Sequence, residues 1–295
     1  MKSLILKCIS CAPSRRASVL FAAATAAMLG ASAGLTRAST ILTDGNSSVA
    51  LTSTAVTQWT VGTTNQLDQE EFFYRVGNSG GQSPLSSLTP NTIKTLDTNS
   101  NGLNDTAKIT YGSSSGFQVV VTYSLTGGAT GSGSSDLGET IKVSNEGMSS
   151  QTFHLFEYTN FNLGGSTSGQ VVTITGGNTA TDVGNGVDAQ IVVSPKPSEY
   201  GASNTAASPD LLSSISSSSK AYTLKDVASA PSGDGESAFE WDLNIGCGST
   251  CVISIDKDLK GTPVVVVPEP VGGAIALLGL GGLFMGRPRR SGHAI

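Results

Sequence analysis

Between residues 40 and 266 no run of helical period reaches useful length, while period-two alternation recurs throughout. Phe117, Val119, Val121, Tyr123 and Leu125 fall on one face; Gln118, Val120, Thr122 and Ser124 fall on the other. Such spacing suits a half-buried strand and no helix. Further strands are expected at 49–61, 71–76, 107–111, 139–145, 153–161, 170–175, 189–193, 221–227, 239–245 and 252–256. Residues 139–145 and 153–161, either side of Glu146-Gly147, read as a hairpin. Ser203 to Ser219 reads as a long polar loop around Leu211, Leu212 and Ile215. Serine, threonine, glycine and asparagine are abundant, which favours turns and strands. The expected fold class is all-β: an antiparallel β-sandwich of about ten strands over 39–262, with an N-terminal signal peptide and a single C-terminal transmembrane helix.

The ends differ from this middle. Residues 1–38 read as a secretory signal: Lys2, Lys7, Arg15 and Arg16 lead, Val19 to Gly30 is apolar, and small residues follow. Cleavage is expected after Ala33 or Ala38, and Arg15-Arg16 leaves a twin-arginine route open beside the general one. Cys8 and Cys11 would leave with the leader. All 22 acids lie within 39–270, against 9 of the 17 bases. Positive ends around an acidic middle suit a chain whose middle is exported, and an acidic fold repels nucleic acid.

The last stretch, 263–295, carries Pro268-Glu269-Pro270, then Val271 to Gly286 without a charge, then Arg287, Arg289 and Arg290. The prolines delay a helix. The 16-residue span would measure about 24 Å as a helix, a little short of a hydrocarbon core of roughly 30 Å. Its arginines would stay on the cytoplasmic side. This segment resembles the PEP-CTERM sorting tail of Gram-negative bacteria that make exopolysaccharide, also catalogued as an ice-binding protein C-terminal domain, although nothing in these residues binds ice. The resemblance implies that exosortase, a membrane cysteine protease, recognises Pro268, Glu269 and Pro270 and removes or exchanges the tail. It also implies export across the inner membrane, transient anchoring through 271–286, and a final place at the cell surface or in the exopolysaccharide.

Two local patterns suggest sites. Asp97, Asn99, Asn101 and Asp105, with Gly102 at the sixth place, resemble a calcium loop. Lys108 stands where such a loop has glutamate, and an Asn/Asp turn explains the same residues. Calcium is the one cofactor this pattern suggests. Cys247 and Cys251 flank three residues and are expected to bridge in an oxidising compartment, adding about 2 kcal/mol.

Chemistry is sparse. His154 and His293 are the two histidines, and no nucleophile elbow, zinc-protease or phosphate-loop pattern is present. Glu240 and Asp242 share a strand face, about 7 Å apart by strand rise. Acids on an outer face are ordinarily solvated, so no catalytic residue is assigned. The expected role is a non-catalytic envelope or matrix protein associated with exopolysaccharide. The alternative is an exported carbohydrate-binding module, with Trp59, Tyr74 or Tyr158 stacking on sugars, or a carboxylate-dependent glycoside hydrolase. The discriminating feature is whether two acids converge with one of them desolvated.

Overall fold

The computed structural model describes residues 6–7 and 39–261, except 90, 113–115, 208–209 and 218. The signal peptide apart from residues 6–7, and the tail with Pro268, Glu269, Pro270, Arg287, Arg289 and Arg290, lie outside the described residues. Among the described residues the fold is all-β, two sheets face to face, and no helix is long and apolar enough to cross a membrane.

The strands are β1 (Leu6–Lys7), β2 (Thr40–Asp44), β3 (Ser47–Leu51), β4 (Ala55–Val61), β5 (Thr64–Asn65), β6 (Leu67–Val76), β7 (Ser83–Pro84), β8 (Asn91–Leu96) and β9 (Thr106–Tyr111). Then come β10 (Phe117–Gly127), β11 (Ser134–Asn145), β12 (Gln151–Phe161), β13 (Val171–Thr175), β14 (Thr179–Gly184), β15 (Val187–Ser194) and β16 (Glu199–Asn204). A short helix, α1 (Leu211–Ile215), precedes β17 (Gly235–Ile245) and β18 (Thr250–Gly261). The first sheet runs β17-β12-β6-β4-β3-β2, with β16 and β1 on the far side of β17 and the short β5 and β7 beside β4 and β6. The second runs β13-β14-β15-β18-β11-β10-β9-β8. The pair of β1 with β17 is parallel; every other named pair is antiparallel.

Alternation decides which side chains meet between the sheets. The five apolar residues expected inward on β10 are all buried there. Trp59, Phe153, Phe239 and Trp241 join them from the first sheet. Phe153 packs between Phe117 and the stacked ring of Tyr74. Burying side chains of this size stabilises by about 2 kcal/mol each.

Several expectations are corrected. Residues 139–145 and 153–161 form no hairpin: β11 pairs with β10 and β18, whereas β12 pairs with β6 and β17. The Glu146-Gly147 turn carries the chain across to the other sheet. Asn145 makes that crossing specific. Its Nδ2 donates to Ser149 O at 2.7 Å and Ile245 O at 2.9 Å, and its Oδ1 accepts from Gly147 N. The segment 49–61 is two strands joined by a turn at Thr52, and β8 and β14 occupy stretches where no strand was expected. The segment 221–227 is not a strand, apart from a single bridge of Val227 to Gly201. The expected Cys247–Cys251 bridge is not formed. Cys251 points into the core as an inward position of β18, while Cys247 is a free thiol on the exposed turn before it.

Two buried features were not expected. Lys257 is an inward position of β18, and its Nζ lies 2.7 Å from Glu70 Oε2, 2.9 Å from Glu139 Oε1 and 3.0 Å from Glu157 Oε1. All four side chains are buried between the sheets. On the outer face of the first sheet, α1 and the chain after it cover a second apolar cluster of Phe73, Phe156, Tyr158, Leu211, Ile215, Leu224 and Ala238. Asp210 caps α1 by accepting from Ser213 N at 2.6 Å.

Candidate functional site

The covered outer face ends in a cluster of ionisable groups. Along β17, Phe239, Trp241, Leu243 and Ile245 face the other sheet, so Glu240 and Asp242 face outward. His154 stands directly opposite Asp242 on β12, and Arg75 opposite His154 on β6. Glu199 stands opposite Glu240 on the edge strand β16. Four adjacent strands thus deliver their outward side chains to one place.

The groups form a chain from interior to solvent. Glu240 is 0% exposed, the His154 side chain 7% and that of Asp242 28%. His154 Nδ1 hydrogen-bonds Asp242 Oδ1 and lies 3.7 Å from Glu240 Oε1. Its Nε2 faces Asn78 Oδ1 at 3.3 Å. Glu240 Oε2 accepts from Leu224 N at 2.8 Å. The segment expected as a strand at 221–227 therefore lies over the site and shields it from water. One ligand-type atom from each of His154, Glu240 and Asp242 lies within 4.8 Å of the others, a spacing that could also hold a metal ion.

Electrostatics separate the acids. Burial pushes the Glu240 carboxyl up, against the pull of the nearby His154 and of the Leu224 hydrogen bond. Burial would lower the His154 imidazole, but its hydrogen bond to Asp242 and the carboxyl of Glu240 nearby outweigh that and raise it. Glu199 is pushed up to about 7, first by burial, then by Asp226 at its side and by the charges of Glu240 and Asp242. A carboxyl raised to about 7 by burial and neighbouring acids is of the kind that general acid chemistry uses.

The sequence singled out His154, Glu240 and Asp242, and the fold brings them together. Glu199 and Asp226 were missed, because nothing local marks them: Glu199 reaches the site only through the pairing of β16 with β17. Of the aromatics expected to stack on sugars, Trp59 and Tyr158 are core residues. Trp59 Nε1 donates to Ser135 Oγ, and the Tyr158 hydroxyl donates to Glu236 Oε1. Tyr74 is half-buried against Phe153.

The calcium-like loop lies elsewhere, between β8 and β9, and its oxygens serve its own amides. Asp97 accepts from the amides of Asn101 and Gly102. Asn99 Oδ1 accepts from Asn101 N, and Asn101 Oδ1 from Leu103 N. Asp105 accepts from Thr98, Asn99 and Thr106. These are the bonds of an Asx-type turn. Burial alone would raise the Asp105 carboxyl, but the Thr98, Thr106 and Asn99 bonds hold it below the usual carboxylate range.

No protein-family model and no curated protein matches the chain. Solved structures do. A bacterial glucoamylase complexed with acarbose is similar over 80% of this chain, at a TM-score of 0.53 and 11% identity. The chain spans 32% of the glucoamylase's length. An Escherichia coli protein assigned as an aldose 1-epimerase is similar over 76% of this chain and 99% of its own, at a TM-score of 0.47 and 9% identity. The Synechocystis protein Slr1438 is similar over 77% of this chain and 96% of its own, at 0.47 and 11%. The glucoamylase likeness defines the fold class: a large two-sheet sandwich of a kind found within a sugar-processing enzyme. The expectation of a non-catalytic protein is corrected to this extent: the fold is similar to part of an enzyme.

Proposed function

We propose that this chain is an exported carbohydrate-active protein whose reacting groups are Glu199 and Asp242, with His154 and Glu240 as positioning residues. The observation that carries this reading is the graded burial from Glu240 through His154 to Asp242, with Glu199 opposite Glu240 on β16. Asp242 is the member of the chain open to a substrate, and His154 fixes its orientation. Glu199, protonated near neutrality, gives its proton to the departing glycosidic oxygen. Asp242 attacks the sugar carbon or takes a proton from the water that does. Arg75, with Nη1 held at 2.8 Å by Tyr222 O, fixes the covering segment over the site.

The test is release of reducing ends from bacterial exopolysaccharides and a panel of oligosaccharides. Glu199→Gln and Asp242→Asn are each expected to lower the rate by about 10²–10⁴-fold. Equal rates for wild type and both variants on every substrate would end the proposal.

The sorting tail belongs to the same proposal. Exosortase acts at Pro268-Glu269-Pro270, residues 271–286 hold the intermediate in the membrane, and the arginines 287, 289 and 290 keep its end inside. Its support is the order of parts in the sequence.

A further inference from the structure

Away from this site, the other end of the sandwich holds buried oxygens with no donor. Ala180, Asp182 and Gly184 are the inward positions of β14. Asp182 is 5% exposed, and neither of its carboxyl oxygens has a donor in hydrogen-bonding geometry. Asn160, at the end of β12, is 2% exposed, and its Oδ1 is likewise without a donor. Its Nδ2 donates to Asp234 Oδ1 at 3.0 Å, so the free Oδ1 sits on the same amide that touches Asp234. Asp234 Oδ2 accepts from Thr205 Oγ1 at 3.0 Å.

The backbone brings these groups together. Gly233 bridges Gln170 just ahead of β13, and Gly235 N donates to Gln170 Oε1. A Cβ on Gly235 would lie 2.6 Å from Val172 Cγ2, 3.3 Å from Gln170 Oε1 and 3.4 Å from Asp182 Oδ2. Only a residue without a side chain lets the strap before β17 come this close to β14.

We propose that Asp182, Asp234 and Asn160 form a calcium site that ties the strap before β17, in the first sheet, to β14 in the second. Three buried acceptor oxygens with no donor are costly, and a cation removes that cost. Two carboxylates and an amide oxygen are hard ligands of the kind calcium takes, with water completing its shell. With at most two charges, and with Asp182 pushed up to about 7 by burial and by Asp234, the affinity falls in the weak class of extracellular modules, about 10⁻⁴–10⁻³ M. The site does not depend on the carbohydrate reading. Asp182 and Asn160 also contrast with Asp97, Asn99, Asn101 and Asp105, whose side-chain oxygens accept from the loop's own amides.

The test uses the purified full chain, stripped with chelator, then titrated with calcium chloride. Melting temperature and bound calcium by equilibrium dialysis are read together. About 10 mM calcium is expected to raise the melting temperature by about 4 °C, with one ion per chain. Asp182→Asn and Asp234→Asn should each abolish the shift and the bound ion, and Asp97→Asn should keep both. Two variants are included in case one fails to fold. A wild-type chain that neither shifts nor binds overturns the site. So does a shift that survives in Asp182→Asn or Asp234→Asn, or one that disappears in Asp97→Asn.

Discussion

Lys257 carries the heaviest electrostatic load of any single residue described. Its ammonium meets three carboxyl groups, all of them buried between the sheets. Three carboxylates around one cation cannot all stay ionised there. Burial raises Glu139 and Glu157, and the charge of Glu70 adds to the effect while Lys257 opposes it. Raised folded values mean that the native state keeps protons which the unfolded chain releases. Their contribution is full below the unfolded value of about 4.3 and is lost as pH rises through the raised folded values. Replacing Lys257 by methionine leaves the acids without their cation. The expected loss is about 3–5 kcal/mol in urea unfolding, smaller in acid than at neutral pH. A loss that is flat from pH 4.5 to 8 would contradict this account. Glu199 supplies the second residue-scale expectation. Its value near 7 should appear as the alkaline limb of the rate, with activity falling as pH rises through about 7. A profile that stays level to pH 9 removes Glu199 from the acid's role.

At the scale of elements, the described chain crosses between the sheets five times, and Asn145 joins two of those crossings, β11 to β12 and β17 to β18. Its side chain holds the turn into β12 and the end of β17. Its backbone accepts from Gly248 N and donates to Ser249 O, at the turn between β17 and β18. Removing three side-chain hydrogen bonds, one of them buried, with Asn145→Ala should cost about 3 kcal/mol, read as a lower urea midpoint. A cost under about 1 kcal/mol would mean that the crossings are set by strand packing alone. The segment 205–231 has a comparable part over the candidate site. It contains little regular structure, yet Leu211, Ile215 and Leu224 are buried by it, and its amides at Leu211 and Leu224 satisfy Glu236 and Glu240.

For the whole molecule, the acidic fold is bracketed by basic ends. Under the sorting proposal, cells lacking exosortase should retain the full-length chain in the membrane fraction, while exosortase-bearing cells move a shorter form to the surface or medium. Mass spectrometry of the mature C-terminus reads the difference directly. Full-length, soluble protein in the cytosol of both strains would rule the sorting out.

Much of this was legible in the chain because strand alternation is local. Phe117 to Leu125 and Phe239 to Ile245 declare their inward faces by period two, and both faces are as read. Pairing partners are not local. The hairpin expected at Glu146-Gly147 is instead a crossing, and the bridge expected at Cys247 fails because its neighbour on β18 points the other way. Glu199 and Asp226 carry no pattern of their own, nor do Asp182 and Asp234.

The sequence by itself determined the class of fold, the inward faces and the order of parts at both ends, since each depends on residues within a few positions of one another. The tertiary structure decided which acids lose water and what stands beside them. In the sequence Glu240 reads as an ordinary solvated acid, and nothing marks Asp182 or Lys257. Only the packing of distant segments over them turned each into a buried group that must find a proton, a cation or a counter-charge.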